Sequence, residues 1–303
     1  MDVSYDKIND GICFRESDHV YFEKEHPENK YISVTTLIDS FTQDFDKDFW
    51  SAYKALEVLI PKENWAMEKK SLLSKHRIDD SLLALYNITQ DDLNREQQKI
   101  LDSWDEENRK SCERGTAIHS ELEHGFYSKG KNCDVSKFGL GGKFECRQNY
   151  SELDLPRGVY PEYLIHKKTK DGILMLAGQV DLIIKDGNDI IIVDHKTNKE
   201  IKMKAGFNNS TKSEQKMKYP LNNLPDSNFW HYSLQLSTYA WMLQQINPDF
   251  VIKDLILNHY DHKGNNTLYH CDYLKDEVER MLVWYKKELI KKQQQARRKP
   301  IEY

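Results

Sequence analysis

The 303 residues are enough to bury one large core or two modest ones, so one to two domains are expected. Charged residues make up 31% of the chain and hydrophobic ones 39%, with 17 Tyr and 6 Trp, which excludes a disordered polymer and describes a globular protein rich in amphipathic helices. The net charge of −5 excludes a surface coated in positive charge; it does not exclude nucleic acid, because a carboxylate cluster subtracts charge while local Lys/Arg strips hold phosphate.

The first residues, MDVSYDKINDG, have no basic start and no apolar stretch, so no secretory signal is expected. No run approaches the roughly 20 apolar residues of a membrane span, and the protein is expected to stay inside the cell that makes it, in the cytoplasm. Cys13, Cys112, Cys133, Cys146 and Cys271 are scattered and never form C-x-x-C, so reduced thiols are expected and no zinc or iron–sulfur site.

Residues 11–36 read as short strands: ICFRE, VYFEKE and YISVTTLI, with turns between them. Ser33, Thr35 and Thr36 either cap a helix there or bind a phosphate at its N-terminus. From residue 46 to 127 the pattern is helical. Trp50, Tyr53, Ala55, Leu56 and Leu59 fall at helical spacing before Pro61, and Thr89 with Asp92 forms a capping box that opens a long polar helix. Gly115 is expected to break that helix before a second one, TAIHSELEHGFY. No internal repeat is present.

From Pro161 the texture changes. PEYLIHKK, ILMLAGQVDLII and DIIIVDHKT are short, apolar and β-branched, as core strands are. The polar segment 199–226 reads as a mobile loop, NFWHYSLQLSTYAWMLQQI as an amphipathic helix ended by Asn247-Pro248, VIKDLILNHYD as a strand, and DEVERMLVWYKKELIKK as a final helix. This order predicts an α/β fold with a mixed central sheet, with strands and helices in residues 1–112 ahead of a core in 113–303.

The hairpin between AGQVDLII and DIIIVDHKT carries the chemistry. With a Gly187-Asn188 turn, Asp181 lies opposite Asp194; with Asp186-Gly187, Asp194 lies opposite Gln179 and diagonal to Asp181. Either register leaves both aspartates on one face, with Lys196 beside them and Val180, Leu182, Ile184, Ile191 and Val193 on the other. Two carboxylates at cross-strand distance repel. A divalent cation removes the conflict, and hard oxygen donors suit Mg²⁺ or Mn²⁺. A metal that activates water, with a Lys nearby to stabilise charge, outlines a phosphodiesterase site.

Gly178-Gln179-Val180-Asp181, followed after twelve residues by Asp194-His195-Lys196, resembles the PD-(D/E)xK nuclease signature. His119 in RGTAIHSELE, Glu162 in PEYLI and Gln235-x-x-x-Tyr239 resemble the upstream histidine, first acidic motif and Q-x-x-x-Y helix of its RecB-like branch, which includes phage recombination exonucleases and the mitochondrial genome maintenance exonuclease. Together these motifs cover residues 114–240 in the expected order. The resemblance implies a restriction-endonuclease-like core and a metal-dependent DNA exonuclease of replication, recombination or repair, working on single-stranded or frayed ends in a bacterial or phage-infected cell, with recombination or replication proteins as partners. His119, Asp181, Asp194 and the His195 carbonyl would hold the metal. Lys196 would be base or charge stabiliser, Glu162 would assist, and Gln235 and Tyr239 would line the DNA channel, to which the region before residue 113 would contribute. The branch's iron–sulfur members need clustered cysteines near the C-terminus, and only Cys271 lies there, so no cluster is expected.

Lys202, Lys204, Lys212, Lys216 and Lys218 follow the catalytic strand and are expected phosphate contacts. The basic run 286–299 is either a second DNA contact or a solvated helix end. The competing readings are a structure-specific endonuclease and a non-catalytic DNA-binding subunit that keeps the fold. The complete Asp181, Asp194 and Lys196 set weighs against the last.

Overall fold

A computed structural model of the chain describes residues 4–148, 155–208 and 212–298. It divides into two units. The larger holds the chain up to Thr42, Ala117–Lys204 and everything from Lys216 on; the smaller holds Gln43–Thr116 and Ala205–Gln215.

The chain opens with β1 (Lys7–Asn9), β2 (Ile12–Arg15), β3 (Val20–Glu23) and β4 (Lys30–Ser33), an antiparallel meander. The segment YISVTTLI is a strand only to Ser33. Its second half is α1 (Val34–Asp39), because the Ser33 hydroxyl accepts the Thr36 N–H at 2.9 Å and Val34, Leu37 and Ile38 are buried. This local capping outweighs the β preference of the Val-Thr-Thr run.

In the smaller unit, α2 (Lys47–Leu59), α3 (Lys62–Lys75) and α4 (Asp80–Leu85) pack around Phe49, Leu56, Leu72 and Leu83. Asp46 caps α2 at Phe49 N. The Thr89–Asp92 box forms as expected, with each residue accepting the other's backbone N–H. It opens α5 (Gln90–Lys129), which runs through Gly115 without the expected break. A single glycine costs a helix only about 1 kcal/mol, and Arg109 pairs along the surface with both Glu106 and Glu113.

A small ladder joins β5 (Cys133–Asp134) to β6 (Lys143–Phe144). Then come β7 (Gly158–Lys168), β8 (Met175–Asp186) and β9 (Asp189–Lys196), as the apolar texture predicts. In the polar segment 199–226, β10 (Phe207–Asn208) and β11 (Ser213–Glu214) pair with each other. The chain closes with α6 (Asn228–Ile246), β12 (Val251–Tyr260), β13 (Asn266–His270) and α7 (Lys275–Arg298). The sequence reading missed β13, a largely exposed polar strand at the sheet edge. In the basic run 286–299, Lys286 pairs with Asp171 at 2.6 Å and Lys291 with Glu288; Lys299 lies outside the described residues.

The central sheet is mixed and has nine strands in the order β1-β2-β3-β4-β8-β9-β12-β13, with β7 also on β8. The expected α/β architecture is therefore present. The N-terminal strands, grouped by the sequence reading with the helices that follow, instead belong to this sheet, because β4 pairs in parallel with β8 at Leu176 and Ala177. One face packs on α1, α6 and α7 through Ile183, Ile192, Leu236 and Met281, among others. The other packs on Phe126, Phe138 and Phe144. Among the described residues no helix is long and apolar enough to cross a membrane.

Candidate metal centre

The hairpin turn is Gly187-Asn188: Asp186 pairs with Asp189 and Leu182 with Val193. The next pair in this register is Asp181 with Asp194, but the ladder ends before it. The His195 N–H turns to the Asp181 carboxylate instead, at 2.6 Å. Toward its N-terminal end, β8 pairs with β4 only at Leu176 and Ala177. Residues 178–181 thus sit in a split where β9 has left β8 and β4 has not yet joined it.

On the opposite edge of β8, the ladder with β7 skips the Glu162–Asp181 pair. Glu162 has φ +52°, in the left-handed region that non-glycine residues adopt at a cost of order 1–3 kcal/mol. The kink switches the side-chain alternation. Tyr160 and Ile183 pack on the α6 face before it, and so do Tyr163 and Val180 after it. Val180 therefore does not share the apolar face of Leu182, Ile184, Ile191 and Val193, as strict alternation predicted.

This irregularity gathers the polar groups. His119 of α5 lies 3.5 Å from Glu162 and 3.6 Å from Asp181 through Nδ1, and its Nε2 lies 3.0 Å from the His195 carbonyl. Donor atoms of His119, Glu162 and Asp181 are all within 4.8 Å of one another. Asp194 is 2% exposed. Lys196 Nζ lies 2.7 Å from its buried Oδ2, a close ion pair. The Asp194 Oδ1 accepts from Gln235 Nε2 at 3.2 Å.

The electrostatics describe a carboxylate site short of positive charge. Burial, followed by the Asp194 charge, pushes Asp181 up to about 7. Burial acts to lower His119, but its hydrogen bond to Glu162 and the Asp181 charge win and raise it to about 9. Lys196 is likewise opposed by burial and raised overall by Asp194 and Asp181, so it stays an ammonium. His195 is the contrast: burial, then the charge of His119, drives its imidazole down to about 3. That ring stays neutral against Asn258 at 3.0 Å, and only its backbone carbonyl enters the site.

A hard divalent cation fits this set, which offers carboxylate oxygens, one carbonyl and one imidazole. Residues 63–301 match the family model of the PD-(D/E)XK nuclease superfamily. The chain belongs to this superfamily. Its nucleases use divalent metals, so the protein is a nuclease with a metal-compatible centre. No curated protein is significantly similar in sequence. Among solved structures, SSO0001 is 16% identical with a TM-score of 0.35, over 87% of this chain and 77% of its own. A protein of Eubacterium rectale that carries the provisional name exonuclease is 10% identical with a TM-score of 0.28, over 82% and 85%. Both scores are low, and neither likeness bears on the activity.

The nuclease's remaining expected site residues divide. Gln235 and Tyr239 are 7% and 3% exposed. They stand behind the site: Gln235 bridges Asp194 to Lys196, with Oε1 3.4 Å from Nζ, and Tyr239 lies against Gly178. A Cβ on Gly178 would stand 2.6 Å from the Tyr239 ring, which explains the glycine of the GQVD motif. Lys202 and Lys204 are exposed, and Lys202 pairs with Glu200 at 2.9 Å.

Three contributors escaped the sequence reading. Tyr232 presents its ring face to Lys196 Nζ at 4.4 Å, and its hydroxyl donates to Asn198 at 2.8 Å. It stands one helical turn before Gln235, a spacing that could have flagged it. Lys7 lies 3.5 Å from Glu162, and Gln179 hydrogen-bonds the same carboxylate. A contact between residues 7 and 162 leaves no trace in local sequence.

Proposed function

We propose that this nuclease is a metal-dependent DNA exonuclease of the RecB-like branch, hydrolysing phosphodiester bonds at single-stranded or frayed ends in replication, recombination or repair. The observation that carries the reading is the His119–Glu162–Asp181 cluster, whose donor atoms lie within 4.8 Å of one another beside the buried Asp194–Lys196 pair. Carboxylates gathered this closely repel one another, and a bound cation offsets the conflict.

His119, Asp181, Asp194 and the His195 carbonyl would hold Mg²⁺ or Mn²⁺, with Glu162 assisting. The ion supplies an activated water and neutralises charge on the phosphate. Lys196, an ammonium here, stabilises negative charge developing on the phosphoryl oxygens. Gln235 holds Asp194 and Lys196 in register, and the Tyr232 ring keeps the ammonium aimed into the site. Lys202 and Lys204 offer exposed charge to the DNA backbone.

Timed digestion of 5′-labelled, 3′-labelled and covalently closed circular single strands, in Mg²⁺ or Mn²⁺, tests the reading. Linear strands are degraded and circles spared. Efficient cutting of circles would replace the exonuclease with an endonuclease, and no cutting of any strand would leave a DNA-binding subunit.

A further inference from the structure

A cavity of about 280 Å³ has Glu162 and its β7 neighbours Pro161, Tyr163 and Leu164 in its lining. Its walls come from β1, β7, α5 and the segment before residue 149, all within the larger unit. Along α5, His119, Glu123 and Tyr127 follow at four-residue spacing, so one helix face runs from the candidate metal ligand into the cavity in steps of about 6 Å. Glu162 joins the cavity to the metal centre: its Oε1 lies 3.5 Å from His119 Nδ1 and its Oε2 lies 3.5 Å from Lys7 Nζ.

Two cations stand in this wall, Lys7 and Arg147. Arg147 is held in place by the backbone. Its stem crosses Gly158 so closely that a Cβ there would stand 2.7 Å from Cδ, and its Nε donates to the Arg157 carbonyl at 2.8 Å. One terminal nitrogen pairs with Glu145 at 2.8 Å. The carboxylates of the lining already have partners: Asp6 accepts the Glu16 N–H, Glu123 meets the Tyr127 hydroxyl, and Glu162 holds Lys7, Gln179 and His119. Tyr127 offers a half-buried ring, and Asn9 and Gln148 offer amides.

We infer that this cavity is a nucleotide subsite, in which Lys7 and Arg147 take a phosphate and Tyr127 takes the base of the residue next to the bond being cut. The assignment rests on the nuclease reading above and deepens it. A fixed guanidinium and a lysine suit a phosphate, an aromatic face suits any base, and the space is of single-residue size. The phosphate belongs to either a 5′ or a 3′ end, and the end that fits sets the polarity of digestion.

Calorimetric titration of the full-length protein in Mg²⁺ with thymidine 5′-monophosphate, thymidine 3′-monophosphate, thymidine and inorganic phosphate reads the subsite directly. One monophosphate is expected to bind about tenfold or more tighter than thymidine and inorganic phosphate, as a charge-assisted contact implies. Arg147→Gln and Lys7→Gln should each remove about tenfold of that affinity. Melting curves confirm that each variant is folded, and Lys7→Gln serves if Arg147→Gln is not. Binding no tighter than that of inorganic phosphate, or affinity indifferent to both substitutions, overturns the subsite. A protein that discriminates the nucleotides but cuts no DNA overturns the nuclease reading and leaves the subsite standing; one that cuts without discriminating does the reverse.

Discussion

Asp181 and His119 hold their protons more tightly in the fold than in an open chain, the first raised from 3.8 to about 7 and the second from 6.5 to about 9. A raised folded-state pKa contributes stability below the unfolded value and loses it as pH climbs through the folded one. Asp181 therefore weakens the metal-free protein as pH rises from about 4 through about 7, and His119 does so as pH rises from about 6.5 through about 9. A cation needs the deprotonated forms, so its stabilising effect grows as pH climbs through about 7 for Asp181 and about 9 for His119. The shift in melting temperature on adding Mn²⁺ should increase steadily between about pH 6 and pH 8.5. A shift that stays flat or shrinks would remove these two groups from the ligand set. Lys196 acts differently, since its charge is already in place. Lys196→Ala should lower kcat by about 10²–10³-fold while calorimetry shows Mn²⁺ still binding. Loss of the metal with retained turnover would reverse the roles given to Lys196 and the aspartates.

At the scale of elements, β7, β8 and β9 make the site by failing to be regular. Asp181, Glu162 and the His195 N–H all lie where ladder bonds are missing, and α6 closes the split from behind. Tyr239 fills the space left by Gly178, so Gly178→Ala should cost about 1–3 kcal/mol by overpacking. Tyr239→Leu in the same chain should recover part of that loss, a coupling that denaturant melts of the single and double variants resolve. Additive effects would mean that the ring and the glycine are not in contact. The strands and helices of this region were legible because their apolar periods are long and clean. Three other features were not. Val-Thr-Thr after Ser33 has strand propensity overruled by one capping hydroxyl. Gly115 is a helix-weakening residue carried by a helix of 40 residues. At Glu162 a positive φ shifts the alternation by one, which no period-two reading contains.

Across the whole molecule, the site residues legible in advance were those that recur as motifs in chain order: His119, Glu162, Asp181, Asp194, Lys196, Gln235 and Tyr239. The structure brings them together in the larger unit, with Gln235 on Asp194 and Tyr239 against Gly178. Lys7, Tyr232 and the Arg147 cavity depend on contacts between distant segments, which only the folded sheet reveals. The central claim is that Asp194 is a metal ligand in a nuclease. It is tested most directly by timed cleavage of an end-labelled linear single strand with wild type and Asp194→Ala side by side, in Mn²⁺ and in EDTA. Cleavage by wild type in Mn²⁺ alone, with the variant binding the strand but leaving it intact, is the predicted result. Wild-type rates from Asp194→Ala, or from wild type in EDTA, would contradict it.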